Sequence, residues 1–315
     1  MIYIQTVGRL GNQMFFYAFA RAIQERNPGL GEIIFIYENA EYEKYGGLTI
    51  LDFNVKIHDF AERPELTKKQ RFVLRVFRKL ESICTKKGWK KIKKILTISL
   101  QPILNINGLY VGLVSGDARI HHNSRTQNVY ATGYWENPTY FNSIKDKIKK
   151  EFSPKYELLP HNADLLHEIM TTNSVCVSIR RGDFLARGNE KHNVCTEKYF
   201  YEAEKIIAGL FDAYKLFIFS DDVEWCRQNM HFEGQVVFEN NNGDDPVWEK
   251  IRLMSACKHF IISNSSFSWW AQYLSNSPDK IVIAPRPWKK NDYRDYLYDE
   301  SFILLNGADG TSAAK

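Results

Sequence analysis

The chain predicts an α/β protein with parallel sheets and two domains, and three observations carry that prediction. Its 315 residues can bury a large core, and that length suits about two domains of ordinary size. Helical patterns near 161–170, 197–209, 222–230, 246–256 and 267–275 alternate with strand-like runs at 175–180, 215–219, 235–238, 259–262 and 280–284. That alternation implies parallel strands with helices on both faces. The pattern breaks between two prolines over Ser153 to Pro160, which divides an N-terminal α/β domain, 1–155, from a C-terminal one, 156–315.

Composition narrows the class. Hydrophobic residues make up 44% and charged residues 25%, with no low-complexity tract, as in a folded chain and not a disordered one. The five cysteines are odd in number and lack CxxC spacing, so neither a disulfide framework nor a zinc site is indicated, and a reducing compartment follows. The start, MIYIQTVGRLGNQ, shows no basic n-region leading into an apolar h-region, and charges interrupt every later apolar run. No secretion signal or transmembrane helix is expected, and the location predicted is cytoplasmic.

Residues 1–6 alternate as a short strand, Gly8-Arg9-Leu10-Gly11-Asn12-Gln13 reads as a turn, and Met14 to Glu25 as an apolar helix. A strand, glycine loop and helix can present backbone N–H groups to an anion, although the spacing is neither GxGxxG nor GxxxxGK[ST]. A tight βα connection is the plainer reading. A second strand spans Ile33 to Tyr37. Pro64 opens a basic helical insertion near 64–98, in which Phe72, Val73, Val76, Phe77, Leu80 and Ile83 recur on one face. From Lys68 to Lys94, twelve basic residues stand against Glu81 alone, so this segment carries +11 and the rest of the chain −6 of the net +5. A solvated cationic face accounts for this; an interfacial helix on an anionic membrane is the sharper alternative. The stretch 101–125 has no readable period, 129–134 reads as a strand, and Asn137-Pro138 starts a helix reaching about Lys150.

The second half carries the candidate sites. Val175, Val177 and Ile179 form a β-branched strand that ends in Arg180-Arg181-Gly182-Asp183. Ligands of open α/β sheets bind outside the carboxyl ends of strands, so two guanidinium groups there suggest a bound anion such as a sugar nucleotide diphosphate. A strand-end ion pair with Asp183 is the alternative. The strand 215–219 runs into Ser220-Asp221-Asp222, where Asp221 as N-cap with Glu224 would make a capping box. Paired aspartates holding Mg²⁺ are the rival, with no third ligand nearby. The strand 259–262 runs into Ser263-Asn264-Ser265-Ser266-Phe267-Ser268-Trp269-Trp270, more polar side chains than one N-cap needs. The surplus hydroxyls at a helix N-terminus suit phosphate oxygens, while Trp269 and Trp270 suit the core. No Ser-His-Asp set, HExxH pair or P-loop can be assembled, and His192 is the only histidine in a suggestive place.

Read together and in order, Gly8 to Phe15, Ser178 to Phe184 and Ser263 to Trp270 resemble the bacterial α-1,2-fucosyltransferases of glycosyltransferase family 11. Phe219-Ser220-Asp221-Asp222 with Trp225-Cys226, and Gly133-Tyr134-Trp135 before Tyr140-Phe141, are similar to that family too. The likeness runs from about residue 3 to 290. It implies a GT-B-like fold of two Rossmann-like domains with the donor cleft between them, GDP-L-fucose as donor, a galactoside acceptor, inversion at the anomeric carbon, and no metal or cofactor. One departure is Ser178, where many relatives carry histidine. Region 60–125 matches no motif of the family.

The resemblance implies roles for the motif residues. Arg180 would stabilise the departing β-phosphate, with Arg181 positioned by Asp183 or adding a second contact. Ser220, Asp221, Asp222, Asn264, Ser265, Ser266, Phe267 and Ser268 would line the nucleotide, and Gly11, Asn12 and Gln13 would close the cleft from the other domain. Asp183 is the nearest candidate for the base that deprotonates the acceptor, although an arginine beside a carboxylate opposes proton uptake. The acceptor would be a galactoside-terminated glycan or lipid-linked oligosaccharide, with a peripheral contact to the inner face of an anionic membrane and no nucleic acid. The rivals are a fucosyltransferase of another linkage or acceptor, and a non-catalytic nucleic-acid or membrane binder working through Lys68 to Lys94.

Overall fold

The computed structural model describes residues 1–37, 46–58, 65–112 and 126–313, and the chain divides into two compact units, Met1–Phe152 and Ser153–Lys315. Each is an all-parallel sheet with helices.

In the first unit, β1 (Ile2–Gln5) leads through Gly8 into α1 (Leu10–Arg26). The turn is shorter than the sequence suggests: Gly8 makes it alone at φ +82°, a conformation strained for any side chain, and Gly11 to Gln13 already lie in the helix. α1 is apolar all round because it is enclosed all round, with Phe15, Phe16 and Phe19 fully buried and Phe19 stacked 3.8 Å from Trp135. Its one buried charge, Arg21, meets Glu151 at 3.1 Å, and Tyr17 Oη donates to the same carboxylate at 2.7 Å. This ties α1 to α4 (Lys145–Glu151), which follows two short 3₁₀ turns where a single longer helix was expected.

With β2 (Ile33–Ile36), β3 (Ile57–His58), β4 (Leu109–Val111) and β5 (Val129–Thr132), the sheet order is β3-β2-β1-β5-β4. The basic insertion is two helices, α2 (Lys68–Lys86) and α3 (Lys90–Ile106). Pro64, the expected start, lies outside the described residues, and the start observed is a capping box in which Thr67 Oγ1 accepts from Gln70 N–H and Gln70 Oε1 accepts from Thr67 N–H. Leu74 and Phe77 of α2 and Leu104 of α3 bury against Ile36, Leu109, Val111 and Tyr130. The apolar face expected of α2 therefore splits: Phe77 is inside, while Phe72, Val76, Leu80 and Ile83 are exposed.

The second unit contains α5 (Ala163–Thr171), β6 (Ser174–Ile179), α6 (Glu197–Leu210), β7 (Lys215–Ser220), α7 (Val223–Asn229), β8 (Gln235–Phe238), α8 (Val247–Ala256), β9 (His259–Ile262), α9 (Ser266–Leu274), β10 (Val282–Arg286) and β11 (Ile303–Asn306). Every strand pairing is parallel, in the order β8-β7-β6-β9-β10-β11. Renumbered within the unit this is 3-2-1-4-5-6, the doubly wound order whose ligand crevice opens at the reversal between its first and fourth strands. Here those strands are β6 and β9. Val175, Val177 and Ile179 pack with Ile218, Ile261 and Ile283 under Tyr199, Ala203 and Ile207 of α6. β11 escaped the sequence reading because residues 287–302 form only a 3₁₀ turn and no helix announces the strand.

Candidate active site

β6 and β9 run side by side with Ser178 opposite Ile262, so Arg180 and Arg181 leave one strand beside the point where Ser263 and Asn264 leave the other. The two arginines diverge because successive residues of an extended chain face opposite ways. Arg180 donates from Nε and Nη2 to Asp183 Oδ1 at 3.1 and 2.6 Å, and its Nη1 forms an ion pair with Asp221 Oδ2 at 2.9 Å. Even with one Nη1 N–H committed to Asp221, two of its five N–H donors remain. Its guanidinium lies over the ring of Phe184, 5.7 Å from the centroid.

Arg181 differs from expectation. It is Arg180 and not Arg181 that pairs with Asp183, whereas Arg181 meets Asp222 at 3.4 Å and stacks on Trp225 at 3.1 Å. The capping role also moves by one residue. Asp222 caps α7, accepting from Trp225 N–H at 3.3 Å, so the capping box expected of Asp221 does not form. Asp221 instead takes the Arg181 backbone N–H on Oδ1 at 2.8 Å and Arg180 on Oδ2. A Cβ built on Gly182 would come within 2.5 Å of Asp221 Oδ2, so glycine is what lets this carboxylate cross from β7 to the end of β6.

Behind this pair, Ser220 is buried. Its Oγ accepts from Asp222 N–H at 3.0 Å, its N–H donates to Glu239 at 2.7 Å, and its carbonyl accepts from Lys250 at 3.2 Å. Burial pushes the Glu239 carboxyl up to about 7, opposed by Lys250 and the Ser220 N–H. Ser220 and the aspartates thus hold the arginines in place.

The loop after β9 divides similarly. Ser268 Oγ shares hydrogen bonds with Ser178 Oγ at 2.6 Å and Ser263 Oγ at 3.3 Å, all three buried. Asn264 donates to the His192 carbonyl at 2.8 Å and accepts from Cys195 Sγ. Ser268 and Asn264 thus spend polar atoms on neighbouring protein groups, as buried polar side chains must, and tie the loop to β6 and to the His192 segment. Ser265, Ser266 and Phe267 are half-buried at the start of α9, and the N-cap residue Ser265 makes no side-chain cap. Its first turn presents N–H groups of positive character beside the arginine strand. Trp269 and Trp270 are core, as expected.

In the first unit, Gln13 is fully buried. Its Nε2 donates to Gly8 O at 3.1 Å and Gly47 O at 3.0 Å, and its Oε1 accepts from Ile50 N–H at 3.0 Å. That leaves no atom for a donor, so Gln13 pins its own loop. Gly11 is buried within the helix, and Asn12 is half-buried against Gly8, whose added Cβ would meet Asn12 Nδ2 at 2.5 Å.

Sequence reasoning missed Glu239 and gave Phe184 and Trp225 no role. Trp225 stands three residues after the cap, a spacing that turns it back toward the strand end, whereas nothing local marks Glu239. His192 rests on Phe184, ring centroids 5.3 Å apart, and desolvation together with Lys289 and Lys191 lowers its pKa to about 4, so it is neutral at pH 7. Among the described residues no three metal-ligating side chains cluster, and all five cysteines are free thiols.

Two parallel-sheet domains in tandem, the second with two arginines at its switch point, are the makings of a GT-B glycosyltransferase. The sequence profile of Glycosyl transferase family 11 matches residues 1–305, and the chain belongs to that family. Among its relatives, an alpha-1,2-colitosyltransferase of Escherichia coli is 32% identical over 91% of this chain and 92% of its own. The O-antigen biosynthesis glycosyltransferase WbnK of Escherichia coli is 27% identical over 95% and 98%. The galactoside alpha-(1,2)-fucosyltransferase 1 of Saimiri boliviensis boliviensis is 26% identical over 46% and 42%. Of solved structures, the fucosyltransferase NodZ from Bradyrhizobium aligns with TM-score 0.49 at 11% identity, covering 87% of this chain and 93% of that one.

Proposed function

We propose that this glycosyltransferase moves L-fucose from GDP-L-fucose to the 2-hydroxyl of a galactoside in glycan biosynthesis. The observation that carries the reading is Arg180, held between Asp183 and Asp221 at the switch point with two N–H donors to spare. As the bond from the fucosyl anomeric carbon to the β-phosphate oxygen breaks, its electron pair leaves with GDP and positive charge grows on the ring. A guanidinium already oriented by two carboxylates meets that developing anion without reorganising, which is where electrostatic catalysis is strongest. The α9 N-terminus, with Ser265 and Ser266, is the second phosphate contact in this scheme. Asp183 orients Arg180 through Oδ1, and its Oδ2 is our candidate to take the acceptor proton as the 2-oxygen attacks from the opposite face. The reaction as proposed needs no metal or cofactor.

The 32% identity with a colitosyltransferase favours a second reading, in which the donor is nucleotide-activated colitose. Colitose is a fucose that lacks one ring hydroxyl, so one pocket can be built for either. Separate incubations with GDP-L-fucose and with activated colitose, each with lactose and related galactosides, are read by mass spectrometry and NMR of the product. An α-1,2-fucosylated galactoside is expected. Transfer of colitose alone, or a fucosyl linkage to another position, overturns the proposal.

A further inference from the structure

The two helices of the basic insertion carry their hydrophobic surface on the wrong side for a core. Among the described residues, sixteen large hydrophobic side chains are exposed, and nine of them lie between Phe72 and Ile106. On α2, Phe72, Val76, Leu80 and Ile83 follow i, i+4, i+8, i+11 spacing and so form one stripe, with Phe72 65% exposed. On α3, Ile92, Ile95, Ile103 and Ile106 form another, with Ile95 62% exposed. Both helices turn Leu74, Phe77 and Leu104 inward against one cluster on the sheet, so both stripes face away from it. Trp89, in the turn between the helices, is exposed too, with Lys87 Nζ 4.5 Å above its ring.

Charge says what covers this surface. The segment holds twelve basic residues, and its only acid, Glu81, is already paired with Lys93 at 2.9 Å, so almost none of the positive charge is met within the hairpin. On α2 the basic positions 68, 71, 75, 78, 79 and 86 run along one flank of the apolar stripe. An apolar stripe edged with lysine and arginine matches a bilayer of anionic lipid, whose headgroups meet the cations while its acyl boundary takes the side chains. A tryptophan at the edge suits the same boundary. No helix among the described residues is long and apolar enough to cross a membrane, so the hairpin would lie on the surface.

We infer that the α2–α3 hairpin docks this protein on an anionic membrane surface, with Phe72, Ile95 and Trp89 entering the interface. The inference does not depend on which sugar is transferred. Its use would be to bring the enzyme to acceptors that are themselves lipid-linked.

The test is co-sedimentation of the full chain with phosphatidylglycerol/phosphatidylcholine vesicles at low and high salt, beside vesicles of phosphatidylcholine alone. Salt-dependent binding to the anionic vesicles is expected, weakened at least tenfold in Phe72→Gln/Ile95→Gln, with transfer to a soluble galactoside and the melting temperature unchanged. A second readout needs no core change. Trp89 is the exposed one of the seven tryptophans, so brominated lipid should quench part of the fluorescence, and Trp89→Phe should abolish that part. Equal binding to neutral vesicles, binding indifferent to the double substitution, or absence of lipid quenching would each overturn the inference. So would a dimer that the double substitution splits without any vesicle binding, or binding to RNA in place of vesicles.

Discussion

Arg180→Lys keeps the positive charge at the switch point and removes its geometry. In the wild type the guanidinium reaches Asp183 with two nitrogens and Asp221 with the third, leaving two N–H groups in a planar fork for the β-phosphate. An ammonium offers three donors from one atom. If it bridges the same two carboxylates, one donor is left for phosphate, so the variant loses one charge-assisted bond together with the bidentate fit. Such a bond is worth about 1.5–3 kcal/mol, and near the upper end the rate falls on the order of a hundredfold. Because the contact strengthens as negative charge develops, the loss belongs in kcat and not in donor affinity. Single-turnover rates, donor titration and thermal melts on Arg180→Lys, with Arg180→Ala expected to be slower still, separate the cases. If Arg180 served only as a strand-end partner of Asp183, the variant would melt lower and turn over at the normal rate per folded molecule, and the phosphate role would be refuted.

Three further outcomes are expected. EDTA should leave turnover largely unchanged, because the proposal gives the diphosphate arginines and a helix N-terminus as partners; a large loss restored by Mg²⁺ or Mn²⁺ would show otherwise. Gln13→Ala strands the Gly8 and Gly47 carbonyls and the Ile50 N–H in a buried loop, at about 1–3 kcal/mol for each group left unsatisfied, so the melting temperature should fall while donor affinity holds. The reverse pattern would return Gln13 to the ligand. Glu239, raised by burial from its ordinary 4.5 to about 7, contributes stability that is present in full below pH 4.5 and lost as pH rises through 7. Urea unfolding of wild type relative to Glu239→Gln should therefore diverge by about 3 kcal/mol between pH 4.5 and 8; parallel profiles would mean that the carboxylate is ionised throughout.

The arginine strand shows how far local pattern reaches. That Arg180 and Arg181 stand at the end of a buried strand follows from Val175, Val177 and Ile179, because the pleat and the abrupt onset of charge are encoded within a few neighbouring residues. Which arginine takes which carboxylate does not follow. Asp221 reaches Arg180 across forty-one positions of sequence, through Gly182, and only the parallel pairing of β6 with β7 makes them neighbours. The serine loop divides in the same way: an N-terminus of a helix is legible, whereas the burial that turns Ser268 and Asn264 inward depends on Ser178 and His192 brought from elsewhere.

By itself the sequence determined the regular αβ alternation of the second half, the motifs of glycosyltransferase family 11 and the excess of positive charge between Lys68 and Lys94. Each is written in residue type and short-range period, where a strand or helix selects its own side chains. Tertiary structure decided the strand order and hence the switch point, the scaffold role of Gln13, Asn264 and Ser268, the support of Ser220 by Glu239 and Lys250, and the outward turn of Phe72, Val76, Leu80 and Ile83. These depend on burial and on contacts between segments far apart in the chain. An apolar stripe on a helix states that something covers it, and only the packed sheet shows which of two stripes it covers.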